Sequence, residues 1–155
     1  MSRDTFVGID PGLSGSVCVL GTENTDIGFY GTDQLDFLEY LDGESFNLSV
    51  GVETQTYSPR QRGAGTNMFN YGVLIGHLQA YGLKYEKIAP RTWYKFYRIS
   101  SGLAYSERKK TTAAIMGELY PEHKHLLYGP RGGLLDGRSD ALAIAHFLRE
   151  QHASQ

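Results

Sequence analysis

Short apolar runs broken by glycine and turn residues dominate the first third of the chain, and apolar positions three and four apart take over later. Thr5 to Asp10 reads as a buried strand carrying Phe6, Val7 and Ile9, and Asp10-Pro11-Gly12 has the chemistry of a turn, so one acid sits where the strand stops. Ser16 to Leu20 predicts a second strand pairing back on the first, and Ile27 to Tyr30 a short third, with Gly12, Gly15 and Gly21 as punctuation. From Asp33 onward Leu35, Leu38 and Leu41, with Phe37 beside them, have a helical period that Gly43 can stop. Leu48 to Glu53 is another strand-like run ending in an acid. Thr54 to Asn67 has no periodicity and reads as a long loop, a feature usually functional or mobile inside a domain.

Phe69, Val73, Leu74, His77, Leu78 and Tyr81 predict a helix that Gly82 ends, with Gly72 and Gly76 allowing another element to come close to it. Lys84 to Ala89 is a weak strand, and Pro90 opens an aromatic and basic stretch, Arg91 to Arg98, to which no element is assigned. Ser106 is the expected N-cap of a helix carrying Arg108, Lys109 and Lys110, with Ala113, Ala114, Met116 and Leu119 behind and Pro121 at its end. Gly129 to Gly133 reads as a flexible loop. Asp136 to Glu150 predicts the last helix, burying Leu142, Ile144, Ala145 and Leu148.

At 155 residues the expectation is one α/β domain, able to bury a core without staples. The single cysteine, Cys18, lies in an apolar run and fits a reducing compartment. No signal-type segment or membrane-length apolar run is seen, so a soluble, cytoplasmic protein is expected. The net charge of −2 conceals a division: residues 1 to 56 hold ten acids against one base, and residues 57 to 133 hold twelve bases against four acids. A basic segment of that kind suits a polyanionic partner, and cations in a helix's first turn oppose its dipole, which invites a phosphate contact.

The acids carry the candidate chemistry. Asp136 and Asp140 are four apart, so on a helix their oxygens can share one cation, and Asp10 and Glu53 each end a strand. Together the four would hold Mg²⁺ or Mn²⁺ by oxygen ligands, whereas no cysteine cluster suits zinc. Two such ions about 4 Å apart can activate water and stabilise a leaving oxygen in phosphodiester hydrolysis. Taken singly, each acid also has an ordinary use as a turn former, an N-cap or first-turn residue, or a surface acid. His123 and His125 lack further ligands, His146 lies on another face from Asp140, and Ser14 with scattered histidines makes no nucleophilic triad.

The ordered set of motifs resembles the RuvC-type Holliday junction resolvases of phages and some bacteria. It comprises Gly8-Ile9-Asp10-Pro11-Gly12 with Ser14-Gly15, Val52-Glu53, Phe69 to Gly76, Pro90 to Lys95, Lys109 or Lys110 before an alanine-rich helix, and Asp136 to Ala145. The resemblance implies an RNase H-like fold, a mixed five-stranded sheet flanked by helices. It also implies a homodimer that nicks opposing strands of a four-way DNA junction with Mg²⁺ or Mn²⁺, leaving 5′-phosphate and 3′-hydroxyl ends. By position Asp10, Glu53, Asp136 and Asp140 match the acidic tetrad. Tyr57, or else Phe69, matches an aromatic that stacks on an unpaired base, and Arg108, Lys109 and Lys110 match the basic helix near the scissile phosphate. Arg60 and Arg62 would bind the junction backbone, and Trp93 is expected in a core or interface. The apolar face around Val73 to Leu78 is the expected dimer contact. Asp136 and Asp140 are four apart, which departs from members that space the last two acids by three.

Three other classes compete. An actin-like ATPase shares the turn after Asp10 but normally needs two such domains. A noncatalytic nucleic-acid-binding module would use the basic segment alone, and another RNase H-like nuclease would share the acids but cut an RNA–DNA hybrid or damaged DNA.

Overall fold

In the computed structural model the described residues are 3–44 and 46–155, with Asp136 described by its backbone alone. The centre is β1 (Arg3–Asp10), whose alternating side chains are buried on both faces. β2 (Ser16–Leu20) returns antiparallel on one side of it, and β3 (Ile27–Tyr30) extends that meander. β4 (Phe46–Glu53) lies parallel to β1 on its other side, with β5 (Glu86–Ile88) parallel to β4, giving the order β3-β2-β1-β4-β5. Parallel neighbours need a crossover, and the helices supply it.

The strand period of two decides where the acids go. Val7, Ile9, Val50 and Val52 face one core, which α1 (Phe37–Gly43) and α2 (Ala64–Ala80) cover with Leu38, Leu74 and Leu78. Phe6 faces the other core, built by α3 (Pro90–Phe96), α4 (Tyr105–Leu119) and α5 (Asp136–Ala153) around Trp93, Met116, Leu142 and Ile144. Asp10 follows Phe6 and Gly8 on that second face. Ile9 pairs with Val52, so Asp10 and Glu53 leave adjacent parallel strands side by side under the helices.

Two glycines let α5 come down onto this end of the sheet. A Cβ on Gly8 would stand 2.0 Å from the Ala141 carbonyl oxygen, and one on Gly137 would stand 1.9 Å from the Ser14 carbonyl oxygen. Both obstacles are backbone, which cannot swing aside. Gly8→Ala is therefore expected to destabilise the protein by about 3 kcal/mol or more, the upper end for overpacking. Denaturant unfolding should show a lower midpoint at unchanged slope, and an unchanged midpoint would refute the close approach.

The sequence misplaces several boundaries. Pro90–Phe96, left unassigned, is a helix that Pro90 starts, and Pro121–Leu127 is a 3₁₀ segment containing His123 and His125. Ser106 is not a cap: α4 begins one residue earlier, Arg108 N–H donates to the Ala104 carbonyl, and no side chain caps the end. α1 starts at Phe37 rather than Asp33, and α2 starts at Ala64, which shortens the preceding loop. Gly82, at a φ of 69°, follows the end of α2 as expected, in the left-handed region that glycine adopts without strain. Cys18 is buried. Among the described residues no helix is long and apolar enough to cross a membrane.

Candidate active site

Asp10 ends β1 and turns its carboxylate back on the chain, where Oδ1 accepts the Gly12 N–H at 3.0 Å. This Asx-type turn fixes the side chain at the lip of the sheet. Asp140, on the second turn of α5, is buried against the same strand end because Gly8 and Gly137 let the helix approach. Between them lies Lys109 of α4: its ammonium bonds Asp140 Oδ2 and stands 3.9 Å from Asp10 Oδ2. Burial alone would push this ammonium down, but Asp140 and then Asp10 outweigh it and hold the group charged, above the usual lysine range.

Glu53 is buried at the end of β4, and its Oε2 accepts a 2.7 Å hydrogen bond from the Trp93 indole N–H. Burial first, then the charges of Asp10 and Asp140, push its carboxyl up to about 8, against the pull of the Trp93 hydrogen bond and Lys109. Three carboxyl groups and one ammonium thus share a cleft of about 330 Å³, with Arg62, Asn67, Tyr94 and Tyr105 also on its walls. Tyr94 stays a neutral phenol, its hydroxyl pushed up to about 12 by burial and then by Asp140 and Glu53. The Tyr105 ring lies 5.2 Å from the Lys109 ammonium, and the Arg108 guanidinium lies 5.5 Å over the Tyr94 ring.

Acid oxygens converging in one cleft fit a hard divalent cation. Among the described residues no three histidine, cysteine or acidic side chains already surround one point. Lys109 stands between Asp10 and Asp140, so a cation entering there must share the carboxylates with it or displace it. Asp136, the fourth acid expected here, begins α5, and its side chain lies outside the described residues.

The sequence matches no family model and no curated protein. Solved structures do match. A Thermus thermophilus RuvC structure is 18% identical over 96% of both chains, with a TM-score of 0.55. A second, T. thermophilus RuvC in complex with Holliday junction substrate, is 16% identical over 99% of this chain and 98% of that one, with a TM-score of 0.50. The fold is the RNase H-like fold of RuvC. The expected mixed five-stranded sheet with flanking helices is the one observed.

Within this RuvC fold the remaining expected residues divide. Lys110 points to solvent and pairs with Glu107 at 3.5 Å, so of the two lysines only Lys109 meets the acids. Arg62 reaches the cleft wall, whereas Arg60, Tyr57 and Phe69 are exposed beyond it. Phe69 is 71% and Tyr57 62% exposed, which leaves both rings open to a partner. Leu74 and Leu78, part of the expected dimer face, are buried in the chain's own core, and the open side of α2 carries Phe69, Gly72, Val73 and Gly76. His146 is structural, its Nδ1 sharing a 2.5 Å hydrogen bond with the Tyr120 hydroxyl. Sequence reasoning passed over Tyr94, Tyr105 and Asn67 as cleft residues, and the pairing of Trp93 with Glu53. The helical start at Pro90 was the available signal for Trp93 and Tyr94.

Proposed function

We propose that the protein is a structure-selective endodeoxyribonuclease that resolves four-way DNA junctions by divalent-metal-dependent phosphodiester hydrolysis. The observation that supports it most is the gathering of Asp10, Glu53 and Asp140 around Lys109 at the strand ends of a RuvC-like sheet. The solved RuvC complex with a Holliday junction favours branched DNA over a hybrid as the substrate.

Asp10, Glu53 and Asp140, with Asp136, would hold Mg²⁺ or Mn²⁺, which when bound supplies Lewis-acid stabilisation of the phosphoryl oxygens and a water nucleophile at neutral pH. Lys109 brings a fixed positive charge to the phosphate undergoing attack, where negative charge builds up. The neutral Tyr94 phenol on the cleft wall is available to donate a hydrogen bond to substrate, and Arg62, Arg60, Arg108 and Lys110 would supply backbone phosphate contacts. Water adds to phosphorus as the bond to the 3′ oxygen breaks, leaving a 5′-phosphate and a 3′-hydroxyl. Tyr57 or Phe69 stacks on an unpaired base at the branch, a contact worth roughly 1 to 3 kcal/mol and tolerant of sequence. Two copies joined through the open face of α2 would present two clefts, as paired nicking of a symmetric junction requires.

The test is cleavage of labelled four-way junction, linear duplex and RNA–DNA hybrid with Mg²⁺ or Mn²⁺. Paired nicks on the junction alone are the expected result. Cleavage of the hybrid alone would assign the chain to another nuclease class, and junction binding without cutting in either metal would make it a binding module. Junction affinity should also fall steeply with salt, since phosphate contacts release counterions.

A further inference from the structure

Trp93 is the chain's only tryptophan, fully buried, and its indole N–H donates to a carboxylate, an unusual acceptor for a core residue. A buried indole N–H needs an acceptor, but a carbonyl or amide oxygen would serve at far less cost than a carboxylate taken out of water. Glu53 therefore is not there for the sake of Trp93. The converse holds: the indole is itself held in place from several sides. Pro90 starts its helix directly after β5, the Tyr94 ring packs 4.2 Å away, and the Tyr97 ring meets it edge-on at 6.2 Å. Tyr97 in turn donates its hydroxyl proton to the Ala143 carbonyl at 2.6 Å, on α5 three residues past Asp140. One frame thus ties the β4 acid to the helix carrying the other acid.

We infer that Trp93 is a positioning residue that fixes the Glu53 carboxylate by Oε2, leaving Oε1 to meet a divalent cation in the cleft. This inference rests on the metal-dependent nuclease reading and names a residue outside its acid and lysine set. Partners of this kind, one step behind a ligand, typically change metal affinity or activity by 10- to 100-fold when removed, roughly. Being hydrogen-bonded to the proposed ligand, the indole should also report cation entry by its own emission.

Two measurements on the full chain decide it. In the first, Trp93 fluorescence, excited beyond tyrosine absorption, is followed while MgCl₂ or MnCl₂ is added to wild type and to Glu53→Gln. A saturable change in wild type, with half-saturation matching that of junction cleavage and lost in Glu53→Gln, is expected. In the second, Trp93→Phe keeps an aromatic ring but removes the donor. Calorimetric Mn²⁺ affinity should fall about tenfold or more, cleavage should recover partly at high Mn²⁺, and metal-free junction binding should stay at the wild-type level. Wild-type emission that ignores metal at concentrations supporting cleavage would overturn the inference, as would Trp93→Phe with wild-type Mn²⁺ affinity. Wild type that cuts no junction in either metal would instead sink the nuclease reading, so the two failures are distinct.

Discussion

Glu53→Gln and Asp140→Asn should each lower junction cleavage by about a thousandfold or more, a loss of roughly 4 kcal/mol of transition-state stabilisation, while junction binding without metal should be kept. Each change is isosteric and lies inside the cleft, so the exposed DNA-binding surface is untouched, although Asp140→Asn also takes the counter-ion from Lys109. The Glu53 variant carries a second signature. Its carboxyl is raised from 4.5 to about 8 in the folded protein, mainly by burial and then by Asp10 and Asp140. A group that binds its proton more tightly when folded contributes stability that is fully present below the unfolded value and disappears as pH rises through the folded one. Metal-free wild type should therefore lose stability between about pH 4.5 and pH 8, on the order of a few kcal/mol, and added Mg²⁺ should restore it. Glu53→Gln should remove that slope, since its amide can still accept from Trp93. Thermal melts in chelator across this range check both points, and a wild-type curve as flat as that of Glu53→Gln would refute the buried carboxylate.

The sheet was legible in the sequence because its strands are short apolar runs closed by glycine, and because Asp10 and Glu53 mark strand ends. Pairing β4 parallel beside β1, which brings those acids together, needs a crossover, and the helix that supplies it, α1, is announced by the period of Leu38 and Leu41. What could not be read depends on contacts distant in sequence. Gly8 looks like an ordinary strand glycine until α5 is laid across it, and only that approach seats Asp140 beside Asp10. The choice of Lys109 over Lys110 is a matter of one residue of helical rotation, roughly 100°, and a basic pair does not reveal which member faces inward. α3 is too short, at seven residues, to display a period, so beyond the helix start at Pro90 its Trp93 offered only its apolar bulk as a signal. The Ser106 cap failed because cap chemistry is a local preference, and here the cap position is Ala104, two residues too early for that hydroxyl to serve.

Lys109→Met separates the two roles that a lysine among acids can have. In the folded protein its ammonium is the counter-ion of Asp140 and Asp10, with only 12% of its side chain exposed. Removing one partner of such a pair leaves the other buried without compensation, at a cost of about 3 to 5 kcal/mol. The metal-free variant should thus be less stable at neutral pH, and Mg²⁺ or Mn²⁺ should stabilise it more than wild type. Cation affinity should rise at least about tenfold: one unit charge at 4 Å is worth about 4 kcal/mol at an effective dielectric of 20, before the site relaxes. Cleavage should nonetheless fall about a hundredfold, the range for losing one fixed charge aimed at the transition state. Tighter metal with slower cutting is a combination that misfolding cannot produce. Lys110→Met, whose side chain pairs with Glu107 at the surface, should leave metal affinity and metal-free stability unchanged and weaken only salt-sensitive DNA binding. If the two variants behave alike, Lys109 is another surface phosphate contact and the acids have no internal counter-ion. If Lys109→Met binds Mn²⁺ more weakly than wild type, the ammonium orders the carboxylates for the cation and does not compete with it.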